Sequence, residues 1–100
     1  GKKSLILRNN AVLSTGYRMD PMKKQGRGSL QLYSDILLFV HEDDTTAILK
    51  FELTTITGIS FMKRYIEFYY DKVLYRFHLL SKYSSTLEWN DAIAIIRSLT

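Results

Sequence analysis

The side chains best suited to chemistry in this sequence are basic ones. Lys23, Lys24 and Arg27 fall within "PMKKQGRGSL", residues 21–30, with Gly26 and Gly28 between them. Arg18 lies just ahead of that stretch, and Lys63 and Arg64 form a second basic spot in "MKRY", beside Phe61 and Met62. Ammonium and guanidinium groups on a glycine-loosened segment can close around a phosphate through charge-assisted hydrogen bonds. The same residues also suit a solvated turn between two strands, and the stretch by itself leaves both readings open. Other chemistry is thinly supplied. His41 is followed by Glu42, Asp43 and Asp44, but without a metal-ligand spacing, and His78 sits beside Phe77 in an apolar run. "GRG" lacks the Lys-Ser/Thr that completes a phosphate-binding P-loop. No nucleophile, base and orienting group are brought together by spacing. The expectation is a chain with no catalysis, no metal and no cofactor.

These residues need elements to position them. With 100 residues, 46% of them hydrophobic, the chain is long enough for one core and too apolar to be disordered. Seven tyrosines and five phenylalanines lean toward strand. There is no cysteine, so no disulfide framework. No apolar run approaches the roughly 20 residues that span a bilayer, and no signal-peptide pattern is present. Gly1 in place of Met reads as a processing scar, so a module of a larger protein is expected, in a cytoplasmic setting.

The net charge of +4 is unevenly spread. Residues 1–40 hold seven Lys/Arg against Asp20 and Asp35, whereas residues 41–60 hold Glu42, Asp43, Asp44 and Glu52 against Lys50. The total is too small for a duplex-binding face, and nucleic acid is not expected as a partner. A local patch for an anionic surface stays open.

A period of two runs through most of the chain. "AVLSTGYRM" (11–19) reads as a strand that bends at Gly16, and "DPMKKQGRG" as a loop. "SLQLYS" and "DILLFVH" pair as a hairpin, "EDDTT" is an acidic loop, and "AILKFEL" alternates again. "TTITGISF" carries Gly58, where a bulge is expected. "YIEFYY" and "VLYRFHLL" form a last hairpin across Asp71-Lys72, with Tyr33, Tyr65, Tyr69 and Tyr75 at outward or rim positions. That makes seven strands. The period then changes. Ser85 with Glu88 has capping-box spacing, and Trp89, Ala92, Ile93, Ile96 and Leu99 recur at three and four, which predicts an amphipathic helix. Residues 1–10 are polar and basic apart from "LIL", and read as a linker or an extra edge element ahead of a domain at 11–100.

Seven short antiparallel strands and one helix tend to curl into a barrel or split sandwich whose open end needs an apolar plug. In that order of elements, and in "STLEWNDAI" with Trp89, the chain resembles the pleckstrin-homology (PH) superfold with its GRAM-like and bacterial relatives. "SDILLFV" is similar to that family's third strand, and "FELTTITGI" to its passage from the fourth to the fifth. The resemblance implies a mainly β fold: a seven-stranded antiparallel barrel or sandwich capped by a C-terminal helix, with Trp89 as core plug. It also implies that the basic stretch joins the first two strands at the open end, where phosphoinositide-binding members hold a headgroup. Arg18 matches that family's basic residue late in strand one. Lys24 and Arg27 crowd the second basic position, and the third falls on Gly28 or Ser29, a departure. The acidic 42–44 loop would repel a polyphosphate.

Two functions follow from the resemblance. One is a peripheral module for anionic phospholipid or phosphoinositide headgroups, using Arg18 with Lys23, Lys24 and Arg27 of a mobile, exposed loop whose charges act collectively, and Lys63 and Arg64 of a second turn. The other is a protein-interaction module that uses a strand edge or the groove beside the helix.

Overall fold

The computed structural model describes residues 4–18, 20–81 and 85–99. Seven strands precede one helix: β1 Leu7–Gly16, β2 Lys23–Leu32, β3 Ile36–His41, β4 Ile48–Glu52, β5 Thr57–Phe61, β6 Tyr65–Tyr70, β7 Val73–Leu79 and α1 Thr86–Ser98. All pairings are antiparallel, in the order β4-β3-β2-β1-β7-β6-β5. The sheet curls into a half-barrel around one core. The mainly β fold and the C-terminal helix are as the sequence pattern required.

Alternation decides what faces the core. Ala11 and Leu13 of β1, Leu30 and Leu32 of β2, Leu37 and Phe39 of β3, and Phe51 of β4 are all buried. From the other half come Ile66, Phe68, Phe77 and Leu79. Phe51, Phe68 and Phe77 form one aromatic cluster, with centroids 5.1 Å apart for the first pair and 5.7 Å for the second.

The helix closes one end. Ser85 is its N-cap, its side chain accepting from the amide of Leu87 at 3.1 Å. Thr86 Oγ1 donates to the carbonyl of Met62, which pins the helix start to the β5–β6 turn. Trp89 and Ile93 are buried, Ala92 and Ile96 pack beside them, and Trp89 is fully enclosed. The Trp89 Nε1 proton is not left unpaired, because it bonds Asn9 Oδ1 at 2.7 Å.

Four details differ from the sequence-based expectation. First, Leu7–Asn10 begin β1, which lies in the middle of the sheet. Leu7–Asn10 therefore belong to a central strand and not to a linker or an edge element, and residues 1–3 lie outside the described residues. Second, Lys23–Gly28 are strand, not loop. They pair with β1 from Thr15↔Lys23 to Ala11↔Gly28, because a ladder needs only backbone partners and not an apolar pattern. Third, Leu53–Thr55 form a turn, and β5 starts at Thr57; Gly58, at φ 58°, does sit at a register shift. Fourth, Tyr75 faces inward, its ring 4.8 Å from Phe51, and Leu99 is exposed at the helix C-cap.

Candidate functional site

The outer face of β1 and β2 is built from side chains that alternate away from the core: Arg8, Asn10, Val12 and Ser14 on one strand, Arg27, Ser29 and Gln31 on the other. Register sets them in cross-strand pairs, Arg8 with Gln31, Asn10 with Ser29 and Val12 with Arg27. In an uninterrupted strand Lys24 and Arg27 would point to opposite faces. The register shifts between Leu13 and Ser14, so that Leu13 opposes Gly26 while Ser14 opposes Lys24. Gly26 supports this bulge with φ 114°, a conformation that favours glycine. Lys24 therefore returns to the outer face beside Arg27, and Gln25 is left to donate to Thr15 Oγ1 at 3.0 Å.

A polar chain runs along this face. Tyr33 Oη donates to Gln31 Oε1 at 2.9 Å, Gln31 Nε2 donates to Ser29 Oγ at 3.2 Å, and Arg8 Nε donates to the same Ser29 Oγ at 2.9 Å. Arg27 stands 3.7 Å from Glu42, both well exposed. A groove of about 420 Å³ opens over these residues, walled on the far side by Val40, Glu42 and Thr45. A second cleft shares Arg8, Asn10, Arg27 and Leu80 with it. On β7 the face continues differently. Arg76 Nε bonds Glu67 Oε2 at 2.8 Å and lies 4.6 Å above the Tyr65 ring, so its charge is already matched. Among the described residues, Arg8 and Lys24 carry no such carboxylate partner.

The six basic residues singled out in the sequence fall into two groups. Arg18, Lys23, Lys24 and Arg27 are all exposed along the β1–β2 turn and the start of β2. Lys63 and Arg64 lie at the other end, in the β5–β6 turn that the helix contacts; the Arg64 carbonyl accepts from Leu79, which itself faces Ala11. The structure does not bring these two groups together. Arg8, Asn10, Ser29 and Gln31 were missed. The available signal was the alternation "R-x-N-x-V-x-S" of residues 8–14, obscured at its start because the position between Arg8 and Asn10 is the polar Asn9.

The departure from the family pattern at residues 28 and 29 has a steric cause. Gly28 is buried, and a Cβ there would meet the Val40 carbonyl at 2.4 Å and the Phe39 ring at 2.6 Å. No basic side chain fits inward at that point, and Ser29 faces out. In the acidic loop Asp44 accepts from the Thr46 amide at 3.0 Å and from its hydroxyl, and these bonds hold its carboxyl below the usual range. Glu42 is the acid of that loop that lines the groove; Asp43 and Asp44 do not. Among the described residues, no cluster of three or more His, Asp and Glu is arranged to hold a metal, and no helix is long and apolar enough to cross a membrane.

No family model matches the sequence, and no curated protein matches it. Solved structures do. The Vps36 N-terminal PH domain superposes with a TM-score of 0.68 at 11% identity, covering 97% of this chain and 81% of that one. The C-terminal domain of an unknown protein from Leishmania infantum superposes with a TM-score of 0.58 at 16% identity, covering 96% and 83%. Strand order, helix cap, enclosed Trp89 and these superpositions agree: the chain has a PH-like fold.

Proposed function

We propose that this domain is a non-catalytic PH-type recognition module that docks weakly on anionic surfaces through the outer face of β1 and β2, at a membrane periphery inside the cell. The observation that carries this is the Gln25–Gly26 bulge, which puts Lys24 on the same face as Arg27 and Arg8, with Lys23 at the start of the strand and Arg18 exposed in the preceding turn. A Lys or Arg near an anionic leaflet contributes about 1 kcal/mol, less as salt rises. Four or five such groups give reversible binding in roughly the millimolar-to-hundred-micromolar range. That strength suits a module acting alongside other contacts of a larger protein.

The test is co-sedimentation with phosphatidylserine vesicles at low and physiological salt. Wild type should bind at low salt and release as salt rises, and Lys23→Ala/Lys24→Ala/Arg27→Ala should abolish binding. A Lys63→Ala/Arg64→Ala variant should stay close to wild type, because its charges lie at the opposite end of the sheet.

A second reading is favoured by an apolar groove of about 220 Å³ between the helix end and the β4–β5 turn, lined by Leu53, Ile56 and Ile96, with Ile95 exposed on the helix nearby. A protein segment in that groove is the alternative occupation of this fold, and it gains if no vesicle binds at any salt.

A further inference from the structure

We infer that the groove between Arg8 and Arg27 is a subsite for a single phosphomonoester group. This rests on the anionic-surface reading and deepens it, since that reading needs only charge whereas this one needs directed donors. The site lies over the strands, on their outer face, and not among the loops at the sheet's end.

The argument begins at Ser29. A hydroxyl has two acceptor positions and one proton. Ser29 Oγ accepts from Arg8 Nε and from Gln31 Nε2, so both positions are used. Tyr33 donates to Gln31 Oε1, which keeps the amide nitrogen toward Ser29. Neither of Ser29's partner groups can accept its proton, which leaves the proton available to a ligand in the groove that Ser29 lines. Arg8 is held at Nε, which fixes the plane of its guanidinium and leaves the terminal N–H groups for a ligand. Arg27 flanks the Asn10–Ser29 pair on the opposite side and lines the same groove. Its contact with Glu42 at 3.7 Å is too long for a hydrogen bond, and an exposed pair of this kind contributes about 0–1 kcal/mol. A dianionic phosphate displaces such a contact readily.

Size and charge narrow the ligand. The groove's 420 Å³ falls within the roughly 300–1,000 Å³ of small-ligand sites, enough for a phosphate and the group that carries it. Glu42 stands in the wall, so a second phosphate would meet a carboxylate. The groove selects one phosphate over several. The carrier is a lipid headgroup or a soluble phosphate ester, and the experiment separates the two.

The full chain, labelled with ¹⁵N, is titrated with inorganic phosphate against chloride at matched ionic strength. Amide shifts should concentrate at residues 8–10, 27–31 and 41–45. Arg8→Gln should weaken phosphate binding about tenfold or more, the loss of one charge-assisted interaction. Arg8→Lys, which keeps the charge but not the Nε anchor, should weaken it similarly. In parallel, vesicles of phosphatidylcholine are doped with phosphatidate, which bears a phosphomonoester, or with phosphatidylserine at equal surface charge. Wild type should prefer phosphatidate, and Arg8→Lys should level the two. Groove shifts with phosphate but no binding to either vesicle would support the subsite with a soluble ester as ligand, and would overturn the membrane reading alone. Equal binding to both vesicles without groove shifts would overturn the subsite and leave the membrane reading standing. A phosphatidate preference that survives Arg8→Lys would also overturn it.

Discussion

The two faces of β2 have opposite physics within one strand. Inward, Gly28, Leu30 and Leu32 are buried under the Phe39 ring and its neighbours. Outward, Arg27, Ser29 and Gln31 hold a row of directed hydrogen bonds and one loose ion pair, all half-buried or exposed. The inner face is specified by volume, so a single added methyl is felt there. The outer face is specified by geometry between strands, so it tolerates changes in bulk but not changes in donor direction. On the proposed reading, stability lives on one side of the strand and recognition on the other, and the two should separate under mutation.

The largest effect should come from the inner side. Trp89→Ala removes the enclosed side chain with which the helix closes the core and is expected to cost about 3–5 kcal/mol, read from chemical denaturation. Next, Gly28→Ala forces its Cβ against the Val40 carbonyl and Phe39, at a cost of about 1–3 kcal/mol, while vesicle binding by the folded fraction stays unchanged. A Gly28→Ala protein as stable as wild type would break the contrast between the faces. Tyr75 gives a pH test of the same side. Burial, first, and then the Asp71 charge raise its phenol pKa. The unfolded chain therefore loses that proton more readily than the folded one. The stability Tyr75 contributes is complete below its unfolded value, about pH 10, and is lost above that as pH rises through the folded value. Tyr75→Phe should flatten this alkaline loss and leave stability at neutral pH little altered.

Outer-side changes should be smaller in stability and larger in binding. Ser29→Ala, next door to Gly28, should cost about 1 kcal/mol or less yet impair phosphate recognition. Smallest in stability is Glu42→Gln, within about 0.5 kcal/mol, which should strengthen binding to anionic vesicles by freeing Arg27. If Ser29→Ala destabilises more than Gly28→Ala, the separation of roles fails.

The same contrast explains what was legible in the sequence. Leu30 and Leu32, Phe51, Phe68 and Phe77, and Trp89 with Ile93 declare themselves by period, because burial selects apolar types at regular spacing. The first half of β2 does not. "KKQGRG" lies where the inner position must be glycine and the outer ones face solvent, so neither face leaves an apolar trace. The start of β1 is obscure for another reason. Asn9 is polar, yet it takes part in closing the core because its partner is the indole nitrogen of Trp89, 80 residues away. No local pattern reports so distant a bond, and missing Asn9 meant missing Arg8 beside it. Basic residues could be recognised as candidates by type, but which of them share a face depended on one bulge at Gly26.

The position of β1 in the sheet governs the order in which this domain can be completed. It is the first of the seven strands to be synthesised, yet it lies between β2 and β7, the second of them and the last. During synthesis it can zip to β2 at once, but its other edge must wait until the last of the seven strands has been made. Pairings this non-local put folding in the slow range of milliseconds to seconds. An open edge over that interval invites pairing with another nascent chain. The waiting edge is Ala11–Gly16, which takes up β7 from Leu79 to Leu74, so its exposure ends only when the last hairpin closes.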